Sequence, residues 1–141
     1  MLNGWKVLNF DTGPVADDPN QDEAWNRGRY LVDALAHCGE CHTPRTLTGG
    51  LNQDMYLAGT ADGPDGEKVP NITPAESGIA DWSETDIAYL LKEGLKPNYD
   101  NVQGSMAEAI DDGLTYLTDE DLDAIATYLK SIPPIEHKVG N

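Results

Sequence analysis

Two cysteines and a histidine lie within five consecutive residues, Cys38-Gly39-Glu40-Cys41-His42, and the chain has no other cysteine. Two thiols at this spacing can add to the two vinyl groups of one haem, and the adjacent imidazole is then held beneath the iron. The pattern predicts one haem c, attached covalently through Cys38 and Cys41, with His42 as an iron ligand. A chain built around such a group is tightly constrained in its fold.

Three alternatives to haem attachment are open for this motif. A zinc site needs four ligands, and only His37 or His137 remains to join the three residues of the motif. A thioredoxin-like redox pair requires a strand followed by a helix, and that context is missing here. The third alternative is a chance occurrence of the motif.

The charge of the chain excludes two classes of partner. The 141 residues include 25 acidic and 9 basic side chains, for a formal net charge of −16. Binding to nucleic acid or to an anionic membrane surface needs clustered Lys and Arg, so we expect neither. No apolar run approaches the ~20 residues that cross a bilayer, so we also expect no transmembrane segment.

Three stretches have the apolar spacing of amphipathic helices. They extend from about Asp22 to His37, from the capping box at residues 83–86 to Gly94, and from Thr118 to the pair Pro133-Pro134. The first connecting loop, at residues 43–81, is aperiodic and far longer than loops usually are. The second loop, at about residues 95–117, is expected to contain one short turn near residues 106–112. The sequence predicts an all-α fold, with three main helices plus short turns wrapped around one covalent haem.

Two of these helices have a defined apolar face. The positions that recur at helical spacing are Gly28, Leu31, Val32 and Leu35 in the first helix and Leu122, Ile125, Ala126 and Leu129 in the last. A glycine inside a helix costs ~1 kcal/mol relative to alanine. We therefore expect another helix to cross closely at Gly28.

The second axial ligand is predicted from position. Met55 follows His42 too closely for the chain to reach the opposite face of a porphyrin, so we interpret it as a packing residue. Met106 lies on the second long loop, directly after Gly104-Ser105, which allows close approach of the backbone. His37 is fixed beside the motif and His137 lies beyond the last helix. Met106 is the predicted distal ligand, against the alternative that it only fills the core.

Several separate motifs resemble the class I cytochrome c domains in multihaem subunits of bacterial periplasmic alcohol, aldehyde and sugar-acid dehydrogenases. They are RGRYLV at 27–32, HCGECHTPR at 37–45, PNITP at 70–74, GIADWS at 78–83, GSMA at 104–107 and LTDEDLDAIATYLKSIP at 117–133. The resemblance covers roughly residues 22–134. One C-x-x-C-H is present here, where such subunits usually carry two or three.

The resemblance implies a set of roles. His42 is the proximal ligand, Met106 is the distal ligand, and the carbonyl of Pro70 accepts the Nδ1 proton of His42. It also implies that the first helix crosses the last at Gly28 and Tyr128. We therefore divide the chain into three parts: an N-terminal arm or interdomain linker at 1–21, a cytochrome c domain at 22–134, and a C-terminal tail at 135–141. We expect the arm to be extended.

Two further residues are candidates for the haem propionates. The indole of Trp82 can donate a hydrogen bond to a propionate or can simply pack in the core. The guanidinium of Arg45 can neutralise a propionate or can be solvated at the surface. The sequence leaves both alternatives open.

With both axial positions filled, iron has no site for a substrate, so we predict an electron carrier and not an enzyme. The resemblance implies a periplasmic location, with any leader removed or outside this sequence, a donor dehydrogenase and a downstream redox acceptor. The acidic surface favours a basic docking face on the partner, and the alternative for the charge is that it serves only solubility or a salty habitat. The alternative is a haem enzyme or gas-binding sensor with a weak or open sixth position.

Overall fold

The computed structural model describes residues 2–10 and 12–139. Its α-helices in this part of the chain are α1 (Leu2–Asn9), α2 (Glu23–Tyr30), α3 (Gly39–His42), α4 (Glu84–Glu93), α5 (Ser105–Asp112) and α6 (Asp119–Ser131). The same residues contain isolated β-bridges but no β-strand. The all-α prediction is confirmed, and α2, α4 and α6 are the three main helices.

Helix α2 begins where the sequence predicts, and a π-helix follows it directly. The Asp22 carboxylate accepts a hydrogen bond from the Trp25 backbone nitrogen at 2.8 Å and caps the helix. Residues Leu31–Leu35 continue it as a π-helix, in which the Ala36 nitrogen donates to the Leu31 carbonyl oxygen at 2.8 Å. The wider turn rotates Leu35 off the apolar face. Leu35 is exposed, so its predicted place beside the buried Gly28 and Leu31 is wrong.

Helices α4 and α6 have the predicted ends. Ser83 and Asp86 form a reciprocal capping box at the start of α4, and Gly94 ends that helix in the left-handed conformation with φ of 69°. The Thr118 hydroxyl accepts a hydrogen bond from the Asp121 nitrogen at 3.2 Å and caps α6. The four apolar positions predicted for α6 are all buried.

Helix α2 crosses α6 at the predicted glycine. A Cβ built on the buried Gly28 would collide with the Ala124 carbonyl oxygen and lie 2.8 Å from the Tyr128 Cβ atom. The rings of Trp25 and Tyr128 meet edge to face beside this point, with centroids 5.1 Å apart. The missing side chain at Gly28 therefore sets how closely the two helices approach.

The N-terminal end of the chain differs from the prediction, and the C-terminal tail makes contacts with the domain. The extended conformation expected for residues 1–21 is wrong for Leu2–Asn9, which form α1, and the Trp5 indole nitrogen donates to the Thr48 carbonyl oxygen at 2.7 Å. Part of the C-terminal tail is bound to the domain, because the Ile135 nitrogen donates to the Thr73 hydroxyl at 3.1 Å. Met1, Asp11, Gly140 and Asn141 lie outside the described residues.

Among the described residues, no helix has the length and apolar character needed to span a membrane.

Candidate haem-binding site

The two cysteines and the histidine share one short helical segment. Cys38 is the N-cap residue of α3, and Cys41 and His42 are its last two residues. Both thiols are free and partly buried. Burial raises the pKa of the Cys38 thiol to about 11, so this thiol is neutral at neutral pH. The segment holds two thiols and one imidazole in the order that covalent attachment of a haem requires.

His42 is buried, with 7% of its surface exposed, and its orientation is fixed. Its Nδ1 atom lies 2.8 Å from the Pro70 carbonyl oxygen, which is the contact that the resemblance implies. Burial lowers the pKa of His42, although the Pro70 contact opposes that shift. A neutral ring that donates from Nδ1 presents the lone pair of Nε2, and Nε2 makes no hydrogen bond within the described part of the chain.

A polar cluster behind the motif supports α3. A Cβ at Gly39 would lie 2.5 Å from the Tyr56 ring, so the ring packs directly on the helix. The Tyr56 hydroxyl donates to Asp33 Oδ1 at 2.7 Å, and the Tyr128 hydroxyl lies 3.3 Å from Asp33 Oδ2. Burial and the Asp33 carboxylate raise the pKa of Tyr56, which stays protonated as a donor. No sequence pattern reveals this cluster, because its members are far apart in the chain.

Met106 is the second residue of α5, at the short turn that the sequence predicts. Its side chain is partly buried and packs against the apolar core. Met55, predicted to be a packing residue, is half-buried at the end of the 3₁₀ turn Gln53–Met55.

The two propionate candidates have different surroundings. Arg45 is exposed, and its guanidinium donates to the Glu40 carboxylate at 2.6 Å and to the Glu40 carbonyl oxygen at 3.1 Å. Arg45 and Cys41 line the same groove of about 250 Å³. Trp82 is half-buried against the apolar core, and its indole nitrogen donates to no other residue in the described ranges.

Buried polar side chains hold the segment after Pro70, and the PNITP motif at 70–74 contains Asn71 and Thr73 without indicating this role. Asn71 Oδ1 accepts hydrogen bonds from the Thr73 nitrogen at 2.9 Å and the Thr73 hydroxyl at 2.8 Å. Its Nδ2 donates to the Ile135 carbonyl oxygen at 2.8 Å, and the His137 Nδ1 atom lies 2.8 Å from the Ala58 carbonyl oxygen. His137 thus belongs to the tail contact.

The described residues offer no cluster of side chains that would support the zinc alternative. Within residues 2–10 and 12–139, no three His, Cys, Asp or Glu side chains converge in a way that could hold a metal ion. The donor set on α3 instead fits a haem, because two free thiols flank a turn that ends in a buried, oriented imidazole.

Comparison with known proteins agrees with this geometry. The sequence profile of the family described as cytochrome c matches residues 26–133. The chain belongs to the cytochrome c family. The family implies a covalently bound haem c and electron transfer, so this chain is an electron-transfer protein and not a catalytic subunit.

Three cytochromes are among the proteins that the chain resembles in sequence. The chain is 49% identical over 134 residues to the fructose dehydrogenase cytochrome subunit of Gluconobacter japonicus, covering 94% of this chain and 27% of that subunit. It is 44% identical to a dihaem c-type cytochrome of Cereibacter sphaeroides, and the match covers 96% of this chain and 44% of that cytochrome. It is 38% identical to the cytochrome c subunit of a quinone-dependent alcohol dehydrogenase from Gluconacetobacter polyoxogenes, with coverage of 99% and 31%. The chain therefore spans less than half the length of these relatives.

Proposed function

We propose that this chain carries single electrons through one haem c, bound by thioether bonds to Cys38 and Cys41, with His42 and Met106 as axial ligands. The observation that carries the proposal is the buried imidazole of His42, oriented by the Pro70 carbonyl at 2.8 Å directly after the two free thiols. When bound, the haem supplies the one-electron couple, and the chain supplies ligands, orientation and exclusion of water.

His42 and Met106 have different tasks in this proposal. The Pro70 carbonyl holds the Nδ1 proton, which fixes the tautomer and makes Nε2 a better donor. A methionine thioether is a soft ligand that favours the reduced metal, so Met106 raises the reduction potential. With both positions filled, the protein exchanges electrons and binds no substrate at iron.

Arg45 and Trp82 are proposed to contact the haem propionates. Arg45 lines a groove together with Cys41, so its guanidinium is near a point of covalent attachment. Glu40 accepts from that guanidinium at 2.6 Å, and a propionate has to share or displace this contact. The half-buried indole of Trp82 has a free donor among the described residues.

We further propose that the donor is a periplasmic dehydrogenase and that the electron leaves to a respiratory acceptor. The names of the relatives support this, since two are cytochrome subunits of a fructose and an alcohol dehydrogenase. The net charge of −16 favours a partner with a basic docking face, because opposite charge steers transient encounters.

Attachment of the haem is tested by denaturing the protein and extracting it with acidic organic solvent. Thioether bonds to Cys38 and Cys41 predict that the colour stays on the polypeptide. Haem recovered in the organic layer contradicts covalent attachment. Haem quantified per chain, by absorbance against protein mass, tests whether there is one.

The axial assignment is tested by comparing Met106→Ala with Met55→Ala. Met106→Ala should remove the thioether–iron absorption band, lower the reduction potential and open the iron to small ligands. Met55→Ala is the matched control and should leave the spectrum unchanged. The reverse result overturns the assignment, and a wild-type protein that lacks the band favours a gas sensor or haem enzyme with a weak or open sixth position.

The docking face is tested by stopped-flow electron transfer to a basic and to an acidic small redox protein. The Debye length falls from ~10 Å at 0.1 M salt to ~3 Å at 1 M, so the rate with the basic partner should drop steeply across this range. Equal rates with both partners, or rates independent of salt, contradict steering.

A further inference from the structure

The loop of residues 59–70, here called the proximal loop, is fixed to His42 at both of its ends. The Gly59 nitrogen donates to the His42 carbonyl oxygen at 2.7 Å. At the other end, the Pro70 carbonyl oxygen lies 2.8 Å from His42 Nδ1. A pair of backbone hydrogen bonds between Thr60 and Val69, at 2.8 and 2.9 Å, joins the two sides of the loop. The proximal loop is thus a closed unit attached to the predicted proximal ligand.

The same loop reaches the helix that carries Met106. Glu67 Oε2 accepts hydrogen bonds from the Ser105 hydroxyl at 3.0 Å and from the Ser105 backbone nitrogen at 3.3 Å. Ser105 is the first residue of α5 and precedes Met106 directly. Glu67 is itself held in the proximal loop, because the Gly63 nitrogen donates to its carbonyl oxygen at 2.9 Å.

The start of α5 needs this carboxylate. Its N-cap residue, Gly104, has no side chain that could accept a hydrogen bond from the first free nitrogens of the helix. The Glu67 carboxylate provides that acceptor from another part of the chain, and its negative charge faces the positive end of the helix dipole. Gly104 also has φ of 64°, and a Cβ there would collide with the Glu67 carboxylate. Backbone conformation and space at Gly104 both match a carboxylate in this place.

We propose that Glu67 is a positioning residue for Met106, so that one loop sets the geometry of both axial ligands. The proposal rests on the proposed function, in which Met106 ligates iron. Glu67 acts through Ser105: it fixes the first turn of α5 and thereby keeps the thioether where it can bind. Without this contact the first turn is free to fray, and other ligands compete better for the sixth position.

The experiment uses the haem-loaded full chain and two readouts, the thioether–iron band and the affinity of imidazole for the ferric protein. Glu67→Ala removes both hydrogen bonds, so the band should weaken and imidazole should bind about tenfold more tightly. Glu67→Gln keeps an acceptor oxygen and should restore most of the wild-type behaviour. Ser105→Ala loses only the hydroxyl contact and should show a smaller effect of the same sign.

Two matched controls separate positioning from charge and from stability. Asp65→Asn removes one negative charge from an exposed site on the same loop and should leave both readouts unchanged. Thr118→Ala removes the cap of α6, far from the proximal loop in sequence, and should lower stability without changing imidazole binding. All readouts are taken at a temperature where circular dichroism shows each variant to be folded.

The outcomes distinguish this inference from the proposed function. If the wild-type band is present and Glu67→Ala leaves both the band and imidazole affinity unchanged, the positioning role is wrong and the Met106 assignment stands. Equal changes of imidazole affinity in Glu67→Ala and Glu67→Gln, with an unchanged band, show a charge effect only and also overturn it. If wild-type protein lacks the band, the Met106 assignment fails first and the positioning role fails with it. Should Glu67→Ala not fold, Ser105→Ala and Glu67→Gln decide the question.

Discussion

Two regions of the molecule are stabilised in opposite ways. One is the crossing of α2 and α6, and the other is the proximal loop together with the C-terminal tail that contacts the segment after it. At the crossing, the contact surfaces are apolar, and the approach depends on the absent side chain of Gly28. Next to the proximal loop, buried polar side chains such as those of Asn71 and Thr73 form hydrogen bonds that connect separate backbone segments. The crossing fixes the distance between two helices, whereas the loop fixes the direction of individual polar atoms.

This difference shows what each region contributes. Apolar burial is non-directional and roughly proportional to area, so it suits the scaffold. Hydrogen bonds fail beyond narrow limits of distance and angle, so they suit the orientation of a single side chain such as the His42 imidazole. Damage to the crossing should therefore appear as lost stability, and damage to the loop as lost stability together with an altered orientation of the His42 imidazole.

The largest effect is expected for Gly28→Ala, which tests the crossing. The new Cβ meets the backbone carbonyl of Ala124 and the Cβ of Tyr128, neither of which is the end of a flexible side chain. We expect a loss of about 3 kcal/mol in the free energy of unfolding, measured by denaturant titration. The control is Gly4→Ala in α1, where a Cβ has no heavy atom within 4 Å. Equal stability of the two variants contradicts the close crossing.

A smaller effect is expected for Asn71→Ala, which tests the loop. The Thr73 nitrogen and the Ile135 carbonyl oxygen each lose a partner at 2.9 and 2.8 Å, and the Thr73 nitrogen is left buried. We expect about 2 kcal/mol of lost stability, as for other buried groups left unpaired. In addition, the amide of Ile135 should exchange with solvent faster. Asn101→Ala, at an exposed asparagine away from this contact, serves as the control and should change neither quantity.

The smallest effect is expected for the ion pair at the edge of the crossing. Arg27 Nε lies 2.7 Å from Asp121 Oδ1, and this contact lowers the pKa of Asp121. The pKa of Asp121 in the folded protein lies below the unfolded value of ~3.9. The ion pair therefore contributes its full stability above pH ~3.9, and this contribution is lost as the pH falls through the folded pKa. Because Arg27 is nearly half exposed, Asp121→Asn should cost less than ~1 kcal/mol at pH 7.

The measurement for the ion pair is thermal unfolding of wild type and Asp121→Asn from pH 7 down to pH 2. The difference between the two proteins should shrink as the pH falls. Asp123→Asn, an exposed neighbour on α6, controls for net charge. A difference that persists unchanged at pH 2 shows that Asp121 acts through something other than its charge.

Much of the scaffold can be predicted from the sequence because its causes are local. The caps at Asp22, Ser83 and Thr118 and the buried face of α6 depend on residues within one or two turns of each other. The outward rotation of Leu35 escapes prediction because a π-turn leaves no mark in apolar spacing. Helix α1 could not be predicted from apolar spacing, because its apolar residues are exposed and form no face toward the core.

The site divides in the same way. Cys38, Cys41 and His42 lie within five consecutive residues, so the motif itself predicts the chemistry. The contacts of Glu67 with Ser105 and of Asn71 with Ile135 join residues 38 and 64 positions apart, and no periodicity links such pairs. The Pro70 contact is predictable only through a resemblance, since composition and spacing do not single out one carbonyl among many.

The bound tail has a practical consequence for where this domain can be cut. The family match stops at residue 133, yet Ile135 and His137 are bonded to the segment that follows Pro70 and to Ala58. A fragment trimmed to the match would lose the Ile135 partner of the Asn71 amide and the His137 contact with Ala58. Expression boundaries and fusion joints therefore belong after His137, and a protease that clips the chain at Pro134 would release the contacts that the tail makes with Asn71 and Ala58.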